Sequence, residues 1–431
     1  MRREASIIKL LLIIAITVIA SGCELGGDNG QDKGESDDGL LRFVDSSEGL
    51  PRSGQWREGF ALYDINGDGY QDILAPPPRG ASKEYSTPTL WYGGTDGVWR
   101  KGNLKVPRDI SYDYGSVSVG DFDGDKIPDL ALGIHCKGVK VLRGKGNDSY
   151  VDFSEGLPST DQFRSRAVVS SDFDNDGLTE FAAVSEANFG EYIKKGIPPS
   201  GLRVFDLQAN RWKQGSLALD AIEQVGLYAD QLVTGDVNGD GKIDIGLASL
   251  VSSRDLIVWI GDGKGNFAPS NKGLIKEKTY LSIALGDINM DGRDDLIGSI
   301  AGFGVKGFKG LKAFLSGPDG FKEMSEGLPK DELFFAICAG DLDKSGGVEV
   351  IAVTAQGGLK IFKYVNKQWE RARVVGLPLE GLVRPYNIYC KDLNGDGFKD
   401  LAMNYASERG DRGGIRVFLN KAESTKGPGK K

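Results

Sequence analysis

Seven times along this 431-residue chain, carboxylate and amide side chains recur in a pattern close to D-x-[DN]-x-D-G-x-x-D. The copies are separated by 51 to 64 residues and begin at Asp64, Asp121, Asp172, Asp236, Asp287, Asp341 and Asp392. Asp and Asn oxygens are the ligands that hard cations such as Ca²⁺ prefer. A single loop of this kind is commonly just a turn between strands. Seven in register indicate metal chemistry, because carboxylates this close would repel one another without a neutralising cation.

The pattern supplies enough oxygen ligands for one ion per loop. Side chains at positions 1, 3, 5 and 9 and the carbonyl of position 7 can converge, and Gly at position 6 permits a turn with positive φ. Lys126 replaces that Gly in the second loop, and the sixth loop is degenerate. We expect about six or seven Ca²⁺ sites. The predicted ligands, loop by loop, are Asp64, Asn66, Asp68, Tyr70, Asp72; Asp121, Asp123, Asp125, Ile127, Asp129; Asp172, Asp174, Asp176, Leu178, Glu180; Asp236, Asn238, Asp240, Lys242, Asp244; Asp287, Asn289, Asp291, Arg293, Asp295; Asp341, Asp343, Ser345, Gly347, Glu349; and Asp392, Asn394, Asp396, Phe398, Asp400.

The acidic composition of the chain comes largely from these loops. The formal net charge is −8, and more than a third of the 61 acidic residues occupy loop ligand positions. Bound calcium would cancel this charge, so the acidity is no evidence for a basic partner. We expect no nucleic-acid partner.

The elements around each loop follow one plan. A short apolar run precedes the loop, a second follows it, then a β-branched and aromatic run, a Gly-rich turn and a more polar run. Runs of this length between turn signals suit buried strands, because helices need ten or more residues. Examples of the second run are 73–75, 130–132 and 181–184, and of the third 89–92, 139–142 and 256–260. Four strands in roughly 50 residues are typical of a propeller blade. The sequence therefore predicts an all-β, seven-bladed β-propeller.

The two ends of the repeat region complement each other. The last unit stops at Leu419 after three strands, whereas an extra strand-like run, 41–45, precedes the first unit. The sequence Ser-Glu-Gly-Leu-Pro follows that run at 47–51 and also follows fourth strands at 154–158 and 325–329. We therefore predict that the N-terminal run completes the seventh blade, which removes the exposed sheet edges.

The N-terminus has the plan of an export signal. Basic residues precede an apolar run, Leu10–Ile19, and small residues precede Cys23. This resembles a bacterial lipoprotein signal, which would make Cys23 the lipidated first residue; ordinary secretion is the alternative. We expect residues 1–22 to be a signal peptide, 23–39 a flexible tether, 40–420 the propeller and 421–431 a disordered basic tail. The expected location is the bacterial cell envelope, with the membrane and its side left open.

Cysteine and histidine give little evidence for catalysis. Cys338 and Cys390 precede metal loops in adjacent repeats, so a bridge is conceivable, although small buried side chains are the simpler interpretation. The single histidine, His135, favours a structural role. We recognise no catalytic constellation and predict a monomeric binding protein that is not an enzyme. A carbohydrate-active hydrolase or lyase and a lectin are the alternatives.

These loops and strands resemble the FG-GAP, or integrin-α-like, repeats and the VCBS-type repeats of exported bacterial proteins. Segments 119–125 and 234–241 match the core motif well, whereas the literal Phe-Gly and Gly-Ala-Pro signatures are poorly kept. The resemblance covers roughly residues 40–420. It implies a calcium-stabilised propeller with roles such as adhesion or sugar binding, and it leaves the partner open.

The strand plan also predicts where a partner binds. Metal loops join strands one and two of each blade, so the long loops between strands two and three lie on the opposite face. Aromatic and arginine side chains on variable loops of a rigid scaffold suit binding of a protein or glycan. The residues predicted for this face are Arg79, Tyr85, Phe189, Tyr192, Phe303, Phe308, Arg409 and Arg412.

Overall fold

Seven sheets make up the computed structural model, which describes residues 39–80, 83–185, 201–215, 231–248, 256–274, 280–301, 309–382, 384–407 and 412–421. The helical content of these residues is one 3₁₀ turn, Lys83–Tyr85. No helix among them has the length and apolar character needed to cross a membrane. The prediction of an all-β, seven-bladed propeller is confirmed.

Six blades are each built from four consecutive strands in the order of the chain. Blades one to three contain β2 (Ala61–Tyr63), β3 (Asp72–Ala75), β4 (Thr89–Tyr92) and β5 (Arg100–Lys101); β6 (Gly115–Gly120), β7 (Asp129–Ile134), β8 (Gly138–Gly144) and β9 (Tyr150–Asp152); and β10 (Ser165–Ser171), β11 (Glu180–Ser185), β12 (Leu202–Gln208) and β13 (Arg211–Gln214). Blades four to six contain β14 (Leu232–Gly235), β15 (Asp244–Ala248), β16 (Leu256–Gly261) and β17 (Phe267–Pro269); β18 (Tyr280–Gly286), β19 (Asp295–Ala301), β20 (Lys309–Leu315) and β21 (Lys322–Glu323); and β22 (Phe334–Gly340), β23 (Glu349–Thr354), β24 (Leu359–Val365) and β25 (Gln368–Arg371).

The seventh blade combines both ends of the propeller. Its inner strands are β27 (Pro385–Lys391), β28 (Asp400–Ala406) and β29 (Gly413–Asn420), and β1 (Leu41–Asp45) pairs antiparallel with β29. The predicted closure by the N-terminal strand is therefore confirmed. The short strand β26 (Val374–Val375), which the sequence did not predict, adds a parallel pair on the outer side of β1.

The hydrophobic core lies between neighbouring blades. Every residue of the second strand is buried in all seven blades, which explains why these runs are uniformly apolar rather than alternating. One cluster joins Ile351 of blade six to Met403 of blade seven, and another joins Leu74 of blade one to Leu130 of blade two. Blade-to-blade burial of apolar surface thus holds the ring together.

The first strands of the blades surround a central channel. Residues from β2, β6, β10, β14, β18, β22 and β27 line a cavity of about 590 Å³. Because each first strand runs into its acidic loop, all seven loops lie at one end of this channel. Segments that precede the first strands, and loops between second and third strands, lie at the other end.

Candidate metal centres and the opposite face

The backbone of the seven acidic loops has one shared conformation. Positions 4 and 6 both adopt positive φ in every loop. Lys126, at position 6 of the second loop, keeps this conformation at φ 65° although it has a side chain. The sequence predicted the turn at position 6 and missed the one at position 4. A signal was present, since Gly occupies position 4 in four loops: Gly67, Gly124, Gly239 and Gly395.

The first ligand position is oriented by the backbone of its own loop. Asp64 Oδ1 accepts hydrogen bonds from the N–H groups of Gly67 and Asp68 at 2.7 and 3.0 Å, and Oδ2 accepts one from Gly69 at 2.8 Å. Asp236 and Asp392 accept equivalent bonds from Gly239, Gly241, Gly395 and Gly397. The positive φ angles turn these N–H groups inward, so the carboxylate is fixed before any ligand arrives.

The carboxyl group at position 9 is buried and joins two parts of its blade. Asp129 Oδ2 accepts a hydrogen bond from Phe122 N at 3.1 Å, and Oδ1 accepts one from Gly144 N at 2.7 Å. Asp72, Asp244, Asp295 and Asp400 make the same pair of contacts, from position 2 of the loop and from the third strand or the residue after it. These side chains therefore link the acidic loop to the third strand of the blade.

Burial raises the pKa of every position 9 carboxyl. The pKa rises to about 6 for Asp72, Asp244 and Asp295, to about 7 for Asp129, Glu349 and Asp400, and to about 8 for Glu180. Hydrogen bonds from the backbone lower the pKa of these groups, but desolvation is the larger effect. A cation at the loop would favour the charged form.

In three loops the acidic ligand atoms converge closely. Oxygen atoms lie within 4.8 Å of one another in each of the sets Asp172–Asp174–Asp176–Glu180, Asp121–Asp123–Asp125 and Asp341–Asp343–Glu349. In blade three, Asp172 Oδ1 is buried and has no hydrogen-bond partner. A cation would satisfy this oxygen, so the residues of this blade fit a bound metal ion. The position 7 carbonyls and the individual ligand sets of the other loops stay predictions.

Loops with asparagine at position 3 arrange that side chain differently. Asn66 Nδ2 donates to Asp68 Oδ2 at 2.9 Å, and Asn394 Nδ2 donates to Asp396 Oδ2 at 2.9 Å. Each amide oxygen also accepts the N–H of position 5. The loop with fewer carboxylates thus uses an amide donor to reduce repulsion around position 5.

A residue on the third strand also faces the acidic loop, and the sequence analysis missed it. Arg143 of β8 and Lys363 of β24 occupy equivalent register positions, beside position 9 of their blades. Lys363 Nζ pairs with Asp343 and lies 3.9 Å from Glu349 Oε1. Arg143 pairs with Asp123 through Nε, and its Nη2 lies 3.3 Å from Asp125 Oδ2. Two of the seven acidic loops are therefore paired with a basic side chain from the third strand of their own blade.

The pKa of the carboxyl at position 3 depends on whether a basic side chain lies beside the loop. Burial raises the pKa of Asp174 in blade three, and the charge of Asp176 raises it further. Burial also acts on Asp343 in blade six, but the hydrogen bond and charge of Lys363, with hydrogen bonds from Ser345, outweigh it and lower the pKa. At the third-strand position blade three has Asp206, an acid, instead of a base.

The residues predicted for a partner surface are only partly within the described chain. Phe189, Tyr192, Phe303, Phe308 and Arg409 lie outside the described residues. Arg79 is exposed, and Arg412 is exposed after β28. Tyr85 is half-buried and packs edge-on against Trp56 at 5.2 Å between ring centroids. Tyr85 thus belongs to the blade-one core cluster as well as to the surface, and the partner role of all eight residues stays a prediction.

The described cysteines form no disulfide bond with one another. Cys338 is buried and packs with half-buried Cys390 in the cluster between blades six and seven, whereas Cys136 is exposed. Cys136 Sγ lies 3.3 Å from His135 Nε2, and the His135 ring stacks on Tyr114 at 4.3 Å. The stacking agrees with the structural role predicted for His135.

Comparison with known families identifies the repeat. A family model described as FG-GAP-like repeat matches residues 121–183 and 228–298, and each matched segment contains two of the acidic loops. The chain is a β-propeller that contains FG-GAP-like repeats in these two segments. No curated protein sequence matches this FG-GAP-like propeller.

Solved structures resemble the FG-GAP-like propeller at the level of the fold. BBS1N in complex with ARL6DN, soaked with mercury, has 10% sequence identity and a TM-score of 0.50, with 88% of this chain and 96% of that chain covered. The complex soaked with lead has the same identity and coverage and a TM-score of 0.47.

Proposed function

We propose that this chain is an exported, calcium-binding β-propeller, lipid-anchored at Cys23, that acts as a binding or adhesion module for a protein or glycan partner. The observation that carries the proposal is the ring of seven acidic loops at one end of the propeller, each with the same backbone conformation. In this proposal calcium is structural, and the partner binds at the other end.

Calcium is favoured over other cations by the chemistry of the donor set. Every predicted side-chain ligand is a carboxylate, amide or hydroxyl oxygen, which suits a hard cation and not a thiolate-seeking or imidazole-seeking metal. The loops are irregular and tolerate Asn, Ser or Glu at ligand positions. Such variation suits the flexible coordination of Ca²⁺ better than the strict octahedron of Mg²⁺.

A binding role is favoured because the two ends of the propeller channel differ in their loops. One end contains the acidic loops. At the other end, the blades form a rigid support for the longer loops. FG-GAP-like repeats and a neighbour crystallised with a protein partner, ARL6DN, are consistent with a binding module. We place no catalytic role on the described residues.

The calcium proposal is tested by thermal unfolding of the full chain with calcium and with a chelator, together with metal analysis. A ligand that binds the folded state and not the unfolded state stabilises the folded state by about 2.7 kcal/mol per site at a ligand concentration 100 times Kd. We therefore expect a large calcium-dependent rise in Tm and several bound ions per chain. An unchanged Tm with no bound ion would show that the loops are turns alone.

The anchor is tested in a bacterial host by metabolic labelling with a radioactive fatty acid. We expect the full chain to take up label and the C23A variant to take up none, with the protein released from membranes. The C136A variant is the matched control and should keep the label. Equal labelling of C23A and the unaltered protein would reject the anchor while leaving the calcium proposal intact.

A further inference from the structure

Three arginines gather at the channel end opposite the acidic loops. Arg57 lies just before β2 of blade one, and Arg384 immediately precedes β27 of blade seven. Arg79 follows β3 in blade one, and its N–H donates to Gln55 O at 2.9 Å, which ties its loop to the segment that carries Arg57. Residues far apart in the sequence thus form one basic cluster, Arg57, Arg79 and Arg384.

Two of these guanidinium groups lie over aromatic rings. Arg57 Cζ is 5.3 Å from the centroid of Tyr386, and Arg79 Cζ is 5.7 Å from that of Tyr114. Stacking on a ring restricts a long side chain and leaves the N–H edge of the fork available for a planar acceptor. Arg57 Nε is buried and has no hydrogen-bond partner, so one strong donor in the cluster is unsatisfied.

An acidic residue, Glu58, also lies at this end of the channel. Glu58 is buried beside the cluster, but its Oε1 also lies 3.7 Å from Arg166 Nη1, so one carboxylate faces several guanidinium groups. Burial is the main reason that the pKa of Arg57 is lowered, and the charges of Arg79 and Arg384 lower it further, against the opposing effect of Tyr386 and Glu58. An additional anion would relieve this repulsion.

Two residues in or beside the arginine cluster have a strained backbone conformation. Glu58 has φ 58° and Arg384 has φ 56°, a left-handed conformation that residues with side chains adopt at some cost in energy. Glu58 comes directly before Gly59, and Arg384 comes three residues before Asn387, and these are the first residues of their blades that line the channel. Both residues lie in the connections that position the charged groups of the cluster.

We propose that Arg57, Arg79 and Arg384 form a binding site for the carboxylate side chains of an acidic protein segment. Arginine forks pair with carboxylates through two parallel hydrogen bonds, and the cluster offers several forks at one channel mouth. An acidic glycan is less favoured, because the faces of Tyr386 and Tyr114 are already covered by guanidinium groups and cannot stack on a sugar ring. This assignment rests on the proposed role as a binding module and specifies the chemistry of its partner.

The test is fluorescence anisotropy of a fluorescein-labelled hexaglutamate peptide titrated with the full chain in calcium. Binding should weaken with added salt, and R57Q, R79Q and the double variant should each weaken it at least tenfold. R211Q is the matched control, because Arg211 is an exposed arginine on β13 that pairs with Glu155. R211Q should bind the peptide like the unaltered protein. The calcium-dependent Tm of each variant verifies folding, and exposed Arg79 decides the question if R57Q does not fold.

Two results would overturn the assignment. One is hexaglutamate binding that is absent, or equal in the unaltered protein, R57Q and R79Q. The other is binding of labelled oligogalacturonate that the same variants abolish while the peptide does not bind, which would replace the protein segment with an acidic glycan. Either result leaves the calcium shift in Tm unaffected, so failure of this site is distinguishable from failure of the calcium proposal.

Discussion

At the scale of single residues, the acidic loops differ mainly in what balances their charge. Blade three brings four acidic ligands together and adds Asp206 from its third strand. Blade six has three acids and the ammonium group of Lys363. Lys363 Nζ contacts two of the carboxylates that an ion would need. We therefore expect blade six to bind calcium much more weakly than blade three.

Replacing Lys363 with Leu should create a calcium site in blade six. Leucine is the residue that blades five and seven have at the equivalent register position, at Leu315 and Leu419. Without the ammonium group, the negative charge of Asp341, Asp343 and Glu349 is not balanced by Lys363, so a cation should bind there. We expect native mass spectrometry to show one more ion per chain in K363L than in the unaltered protein. An unchanged ion count would show that Lys363 does not compete with calcium.

Two variants make that measurement specific. K360L removes another lysine of the same strand, which pairs with Glu332 and not with the loop, and should leave the ion count unchanged. Adding D341N to K363L should remove the gained ion. If the unaltered protein binds no calcium at all, the error lies in the calcium proposal and not in the role of Lys363.

Some of these residues could be predicted from the sequence and others could not. Ligands within a loop were predictable because they recur at fixed spacing and alternate with glycine. Lys363 and Arg143 lie 14 residues beyond position 9 of their loops, and only the register between second and third strands brings them back beside it. The arginine cluster was harder still to predict from the sequence, because Arg57 and Arg384 come together only when the ring closes.

At the scale of elements, the Ser-Glu-Gly-Leu-Pro segments lock one blade to the next. Ser325 Oγ accepts the N–H of Ala313 at 3.1 Å in its own blade, while Glu326 O accepts the N–H of Trp369 in the following blade at 2.9 Å. Trp369 Nε1 also donates to Met324 O at 2.8 Å. In the other two copies, Ser47 Oγ and Ser154 Oγ accept the N–H groups of Val417 and Val141. Glu48 O and Glu155 O accept the N–H groups of Trp99 and Trp212. The sequence showed the repeat of this segment but not its tryptophan partner.

Replacing Gly327 with Ala should weaken the junction between blades five and six. Gly327 has φ 94°, and a Cβ there would collide with the backbone carbonyl oxygen of Trp369. G381A is the matched control, because Gly381 has φ 102° and no atom within 4 Å of the added carbon. Positive φ alone costs about 1 kcal/mol, so the loss of stability in G327A by chemical denaturation should exceed that in G381A by several-fold. Equal losses would mean that Trp369 moves freely.

At the scale of the whole molecule, the ring is closed by hydrogen bonds between its two ends. Phe43, Val44 and Asp45 of β1 pair with Asn420, Leu419 and Phe418 of β29, and Leu41 N donates to Arg373 O of blade six at 3.0 Å. Leu41 and Phe43 are buried in the cluster between blades six and seven. The strand therefore covers an edge, fills a core and joins two blades at once.

A chain that begins at Ser46 should consequently fail to close, whereas a chain that begins at Gly39 should fold. Removing β1 exposes the edge of β29 and leaves Leu41 and Phe43 out of the core, and each large buried side chain that is lost costs about 2–5 kcal/mol. We expect the shorter chain to unfold at a lower temperature, over a broader range, and to associate through the open edge, as measured by calorimetry and light scattering. Adding a synthetic peptide of residues 39–46 should restore part of the Tm, because β1 contributes through pairing and burial and not through its covalent connection to the next blade. A shorter chain that stays monomeric and as stable as the longer one would show that the three remaining strands of blade seven are sufficient to close the ring.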